Sequence, residues 1–194
     1  MPRPLVPNRR ERVLDAAEEL VLSRGFDAMS VAAIAEGAGI GKGAVYLEFP
    51  GKSDILDALL QRGTARLRER ARNQVGDRPR LSDAYRASAR ALLEDELMTA
   101  AFLDDRGVLG THVAEVEDGR YRERHLGVIA WLRDLQSRGE IDGQVDAEAL
   151  ALALSSATIG LLSAARLLGP LSPAQLESAI DTVGLMAASF ERDR

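Results

Sequence analysis

The sequence predicts an all-α protein. Three observations point there: apolar residues recur at three- and four-residue intervals over most of the chain, alternating runs of β-branched or aromatic residues are scarce, and glycine and proline cluster between the periodic stretches. With 194 residues, 46% of them apolar, the chain can bury a real core as one compact unit or two small ones. It has no cysteine, which excludes a disulfide scaffold and a thiolate metal site and ties the protein to no oxidising compartment.

The opening residues, Met-Pro-Arg-Pro-Leu-Val-Pro-Asn-Arg-Arg, hold no apolar stretch of signal-peptide length, so a cytoplasmic location is expected. Asn8 is the expected cap of the first helix, with Glu11 at capping-box spacing. Val13, Leu14, Ala17, Leu20 and Val21 share one helical face, and Gly25 stops the run. Ser30 caps a second helix through Glu36, residues 37–39 break it, and residues 42–49 form a third. Pro50 ends that helix, because the residue before a proline is pushed out of the α region. Residues 51–54 open a fourth, with Asp54 favourably placed in its first turn.

Downstream, periodicity predicts helices over 55–75, 81–98, 101–108, 113–138, 147–168 and 173–191, separated by glycine- and proline-bearing breaks. Asp146 and Ser172 read as N-caps, with Pro173 at a first helical position that needs no N–H. Arg62, Arg66, Arg68, Arg70 and Arg72 are spread around their helix and read as a solvated surface. The uncharged stretch 149–165 carries four hydroxyl residues and falls short of the ~20 apolar residues of a membrane span, so a buried protein helix and no membrane partner are expected. The expected division is residues 1–53 and residues 54–194, with the fourth helix as the joint.

Residues 30–52 carry the most specific pattern: two short helical stretches hinged at Gly39, then Lys52 at another helix start, the layout of a helix-turn-helix. At 100° per residue Val45 and Phe49 point one way, toward Ile34, Ala35, Ala38 and the first helix. Gly43 and Leu47 point the other way with Ala44 beside them, while Lys42 and Tyr46 lie on one flank and Glu48 on the other. Such a bare outer face suits base edges, with apolar contact to thymine methyls from Ala44 and Leu47. Lys42, the Tyr46 hydroxyl, the Ser30 hydroxyl and the helix start at Lys52 suit phosphates, and Arg9, Arg10 and the arm carrying Arg3 suit the backbone or a minor groove. The net charge of −5 argues the other way, but residues 1–53 hold seven basic and seven acidic side chains, so the whole deficit lies downstream.

On these residues the segment from about Arg9 to Leu60 resembles the DNA-binding domain of TetR-type transcriptional regulators. Arg12-Val-Leu-Asp-Ala-Ala17, Gly25-Phe26, Ser30-Val31, Ile34-Ala35, Ala38-Gly39-Ile40, Lys42-Gly43-Ala44-Val45-Tyr46, Phe49 and Lys52 agree in register. Two positions depart from the family pattern: Gly41 stands where serine or threonine is usual, and Glu48 where histidine or tyrosine is common. The resemblance implies a helix-turn-helix domain joined to a larger helical bundle, a homodimer on a pseudo-palindromic DNA operator, and a small-molecule inducer that releases a repressor.

The residues themselves add to that picture. Between 147 and 168 the only charges are Glu148 and Arg166, and apolar residues encircle the helix, which calls for cover on all sides. A second copy is the simplest cover, with Leu154, Thr158, Leu161, Ala165, Ile180, Val183 and Met186 as interface candidates. Tyr85, Met98, Phe102, Leu103, Trp131 and Leu135 are candidates to line a hydrophobic pocket, with His112, Tyr121 or His125 as polar partners. With two histidines and no glycine-rich phosphate loop after a strand, no catalytic constellation, cofactor site or metal site is expected. Asp104, Asp105, His112, Glu115 and His125 match no metal-ligand spacing. A helical ligand-binding or scaffold dimer with a non-functional DNA head is the alternative, and a helical enzyme a third.

Overall fold

The computed structural model describes residues 8–103, 105–112 and 120–192, with the side chains of residues 120, 121, 123, 124, 165 and 166 left outside that description. Arg3, Asp104 and Glu115, and the side chains of Tyr121, Ala165 and Arg166, therefore lie outside the described residues. The described residues form α1 (Arg9–Arg24), α2 (Val31–Gly37), α3 (Lys42–Tyr46), α4 (Lys52–Val75), α5 (Leu81–Leu93), α6 (Glu96–Phe102), α7 (Arg106–Leu109), α8 (Arg120–Ser137), α9 (Ala147–Leu167) and α10 (Pro173–Ala188). Among them no strand occurs beyond an isolated antiparallel bridge between Ile141 and Glu191. The protein is all-α, as expected.

The chain divides into two compact units, Met1–Ala65 with Glu96–Val116 and Arg66–Asp95 with Glu117–Arg194, so α4 contributes to both. In the first unit α1 buries Val13, Leu14, Ala16, Ala17 and Val21, and the opening turns of α4 bury Ile55, Leu56 and Leu59. Gly63 of α4 sits where a Cβ would run into the Met98 side chain of α6, so the missing methyl lets the two helices approach. Asn8 does not cap α1: its backbone is left-handed (φ 57°) and its side chain makes no capping bond. The expected helix 81–98 is interrupted. α5 ends at Leu93 and Asp95, whose side chain is buried, takes a 2.7 Å ion pair from Arg66 at the break. The helix expected over 101–108 is likewise replaced by the end of α6 and the short α7, which Asp105 caps by accepting the Gly107 N–H at 2.8 Å.

The arginines of α4 are not simply solvated. Arg62 reaches three carboxylates of α1, Asp15 and Glu18 at 2.6 Å and Glu11 at 3.2 Å, and Arg66 holds Asp95. Arg68 and Arg72 are exposed as expected.

In the second unit α5 packs along α10 and α8 along α9. One core cluster joins Leu81, Ile129, Leu132, Leu135, Ile141, Leu150 and Ala151, and a second joins Tyr85, Ala89 and Ile180. Asp146 caps α9 by accepting the N–H groups of Glu148 and Ala149, and Ser172 with Gln175 forms a full capping box before Pro173. Near the chain end Glu191 accepts the Ser82 N–H at 2.7 Å, at the start of α5, and pairs with Arg80. Within one protomer α9 is covered only in part: 22% of the window Ala147–Ala164 is buried, and Leu152, Ile159 and Leu167 are exposed. That 18-residue window has a mean hydropathy of 1.5, long and apolar enough to cross a bilayer by length and composition only, a property that core helices of soluble proteins share.

Candidate nucleic-acid interface

The amino-terminal helices build a platform for α3. Ser30 is extended and accepts the Ala33 N–H at 3.1 Å, which starts α2 and leaves its hydroxyl proton free to donate outward. Gly39 adopts φ 63°, a conformation that glycine takes without strain, and the Ile40 N–H returns to the Ala35 carbonyl at 3.0 Å. This turn delivers the chain to α3 across α1 and α2. Gly41 precedes α3 in extended backbone with no side-chain cap.

α3 is shorter than the expected 42–49. It ends at Tyr46, and Phe49 follows in a turn whose N–H bonds the Val45 carbonyl at 2.9 Å. Val45 and Phe49 are buried, as are Ile34, Ala35 and Ala38 of the neighbouring α2 and its end, so the inner face is as the spacing predicts. Outward stand Lys42, Gly43, Tyr46 and Leu47, with Ala44 half-buried at their side. Leu47 is 76% exposed and Tyr46 50%, two large side chains next to each other at the surface. Apart from its chain neighbours and the backbone of its own helix, no atom of the described residues lies within 4 Å of where a Cβ on Gly43 would stand, so nothing packed against it demands glycine there.

Lys52 is placed differently from expectation. Its ammonium turns back onto the loop between α1 and α2, donating to the carbonyl of Phe26 at 3.1 Å and to those of Asp27 and Met29 at 3.4 Å. It also stands 4.3 Å from the centre of the Phe26 ring. Lys52 therefore fixes the loop that leads into α2.

Two arginines expected to reach for DNA also have partners inside the head. Arg9 pairs with Glu48 at 3.1 Å, and Arg10 lies 4.3 Å over the Phe49 ring and donates to the Glu48 carbonyl at 3.4 Å. Elsewhere in the same unit Asp27 accepts the hydroxyl of Thr111 at 2.8 Å and its N–H at 3.1 Å. Those two bonds, aided by the Lys52 charge, hold its carboxyl below the usual value of 3.8. His112 is buried against the Phe26 ring with its Nε2 3.1 Å from Asp57, so it braces the head.

The pocket candidates come from both units. Met98, Phe102 and Leu103 belong to the first unit and Tyr85, Trp131 and Leu135 to the second. Leu135 and Trp131 join the larger core cluster, whereas Tyr85 joins the smaller, its hydroxyl accepting from Thr158 at 3.5 Å. Burial pushes the Tyr85 phenol up from its ordinary value. Of the dimer candidates, Ile180 is 1% exposed inside its own protomer, Leu154, Thr158, Leu161 and Val183 are half-buried, and Met186 is exposed. Leu152, Ile159 and Leu167 are exposed apolar residues that the sequence did not single out, and Leu185 is exposed beside Met186.

A model of the tetR family of bacterial regulatory proteins matches residues 13–59. The transcriptional repressor KstR of Rhodococcus jostii is 37% identical over 101 residues, which cover 49% of this chain and 48% of that one, so the chain spans about half the length of that relative. The transcriptional repressor BepR of Brucella suis is 31% identical over 167 residues, covering 79% of this chain and 78% of its own. Among solved structures, a complex of SmeT with triclosan superposes with a TM-score of 0.69 at 24% identity, covering 95% of this chain and 92% of that one. The buried root and bare outer side of α3, the register of residues 13–59 and the length of the BepR match agree: the chain belongs to the TetR family of bacterial regulatory proteins, which regulate transcription by binding DNA.

Proposed function

We propose that the protein is a homodimeric repressor that reads a pseudo-palindromic operator with α3 of each copy and is released by a small hydrophobic ligand. The observation that carries this reading is α3 itself, rooted by Val45 and Phe49 and offering Gly43, Tyr46 and Leu47 to solvent. Ala44 and Leu47 supply apolar contact to thymine methyls, and Gly43 lets the backbone approach the groove. Lys42, the Tyr46 hydroxyl, the Ser30 hydroxyl and the N–H groups at the start of α4 take phosphates. Lys52 acts by holding that start against the loop after α1.

The amino-terminal part, residues 1–53, carries the DNA contacts, and residues 54–194 carry the other two functions. A second copy covers the exposed side of α9 and α10, where Leu152, Ile159, Leu167, Leu185 and Met186 stand. Burial of such surface yields about 25 cal/mol per Å² and fixes two copies of α3 at one helical turn, about 34 to 36 Å, or a multiple of it. In the bundle, Trp131 and Leu135 supply apolar wall and Tyr85 with Thr158 a polar handle, and the triclosan bound by SmeT supports an input of this chemical kind. A ligand that prefers the dimer with mis-spaced heads shifts the population away from DNA. A salt titration on promoter duplexes tests this: affinity falls log-linearly with salt, with a slope of about −0.9 per phosphate neutralised. Absence of any salt-sensitive binding favours the scaffold dimer and sinks the proposal.

A further inference from the structure

Glu48 is the residue next to Leu47, so it sits beside the surface that meets DNA, where a bare carboxylate repels every phosphate it approaches. It is not bare. Arg9, the first residue of α1, holds it at 3.1 Å, and the two side chains are 24% and 22% exposed, sheltered enough for the pair to persist. Arg10 reinforces the same junction through the Phe49 ring and the Glu48 carbonyl. Within the head, then, one cation of an already charge-neutral segment is tied to the end of the reading segment.

We propose that Glu48 is a brake on DNA affinity, a positioning residue that acts through Arg9 by withholding its guanidinium from the phosphate backbone. This rests on the DNA-binding role proposed above. A closed Arg9–Glu48 pair carries no net charge and releases no counterion, so it adds nothing to the sequence-independent part of binding. Opening it chemically, by neutralising the carboxylate, turns Arg9 into one more phosphate contact. Removing the arginine instead leaves an uncompensated carboxylate facing the backbone, with the opposite effect.

The test measures binding of the full-length protein and its variants to two duplexes, one of random sequence and one selected by the wild-type protein from a random library, over a range of salt. Glu48→Gln is expected to bind both duplexes a few-fold tighter and to steepen the log–log salt slope by about one. Arg9→Gln is expected to bind more weakly with a shallower slope, Arg9→Lys to behave like wild type, and Arg9→Gln with Glu48→Gln to return near the wild-type slope. Thermal unfolding of each variant accompanies the titrations, because loss of a merely structural contact lowers the midpoint without moving the slope. An unchanged slope in Glu48→Gln overturns the inference. So does a change in the preferred base at one operator position, which assigns Glu48 to direct readout of cytosine. Wild-type protein that binds neither duplex overturns the DNA-binding role itself, and binding that is intact but indifferent to Glu48 overturns only the brake.

Discussion

The ammonium of Lys52 meets three carbonyls and an aromatic face, all contributed by residues 26–29. Replacing it by methionine keeps the stem and removes those bonds, so Lys52→Met is expected to lower stability by about 1 to 3 kcal/mol. Denaturant unfolding measures that loss. A phosphate-binding lysine gives the other signature, unchanged stability with a salt slope reduced by about one. Asp27 offers a pH-dependent check on the same corner. Its folded-state carboxyl is held below 3.8 by Thr111, so the stability it contributes is present above that value and lost as pH falls through the folded-state value. Thr111→Val is therefore expected to lower the thermal midpoint at neutral pH, with the gap to wild type closing below 3.8 as the carboxyl is protonated. Neither arrangement is legible in the sequence. Lys52 and Phe26 are 26 positions apart and Asp27 and Thr111 are 84 apart, and no local pattern links a side chain to a carbonyl at such separation. Similar separations hide Arg9 from Glu48 and Arg62 from Glu18.

At the scale of elements, what the sequence shows depends on how local the cause is. Ser30, Asp146 and Ser172 cap their helices as residue type and position suggest, because a cap needs only the next turn. Asn8 has the right chemistry but a left-handed backbone, and the break between α5 and α6 is marked by a buried carboxylate whose partner lies on another helix. α3 repays the closest reading: its buried face follows from spacing, and its length does not, since the turn at residues 47–49 keeps Phe49 on the inner side without a further helical turn. Gly43→Ala separates folding from function here. Open space at the Cβ means the change is expected to raise stability by up to about 1 kcal/mol through helix propensity. If the backbone approaches a groove, the same methyl weakens binding, so thermal unfolding and DNA affinity move in opposite directions. Gly39→Ala moves both downward, because φ 63° strains any other residue and the new methyl meets the Arg12 guanidinium.

For the whole molecule, the apolar excess of α9 and α10 was visible in the sequence, but its direction was not. A helix with apolar residues on every side gives no phase, so Ile180 is turned to its own core while Leu185 and Met186 face outward. Met186→Asp is expected to shift sedimentation from dimer toward monomer and to weaken operator binding steeply at low protein concentration, with the fold retained by circular dichroism. All-α architecture, an amino-terminal reading head and an apolar second half were readable at the outset. Which side chains brace the head was not. The most direct trial is a dimethyl sulfate footprint on a bound operator, since the reagent reports guanine N7 in the major groove and adenine N3 in the minor. Two protected major-groove patches, centred about 10 to 10.5 base pairs apart or at a multiple of that spacing, are the expected result. Protein that binds the duplex yet leaves both patches open to methylation, or protects only the minor groove, contradicts the account.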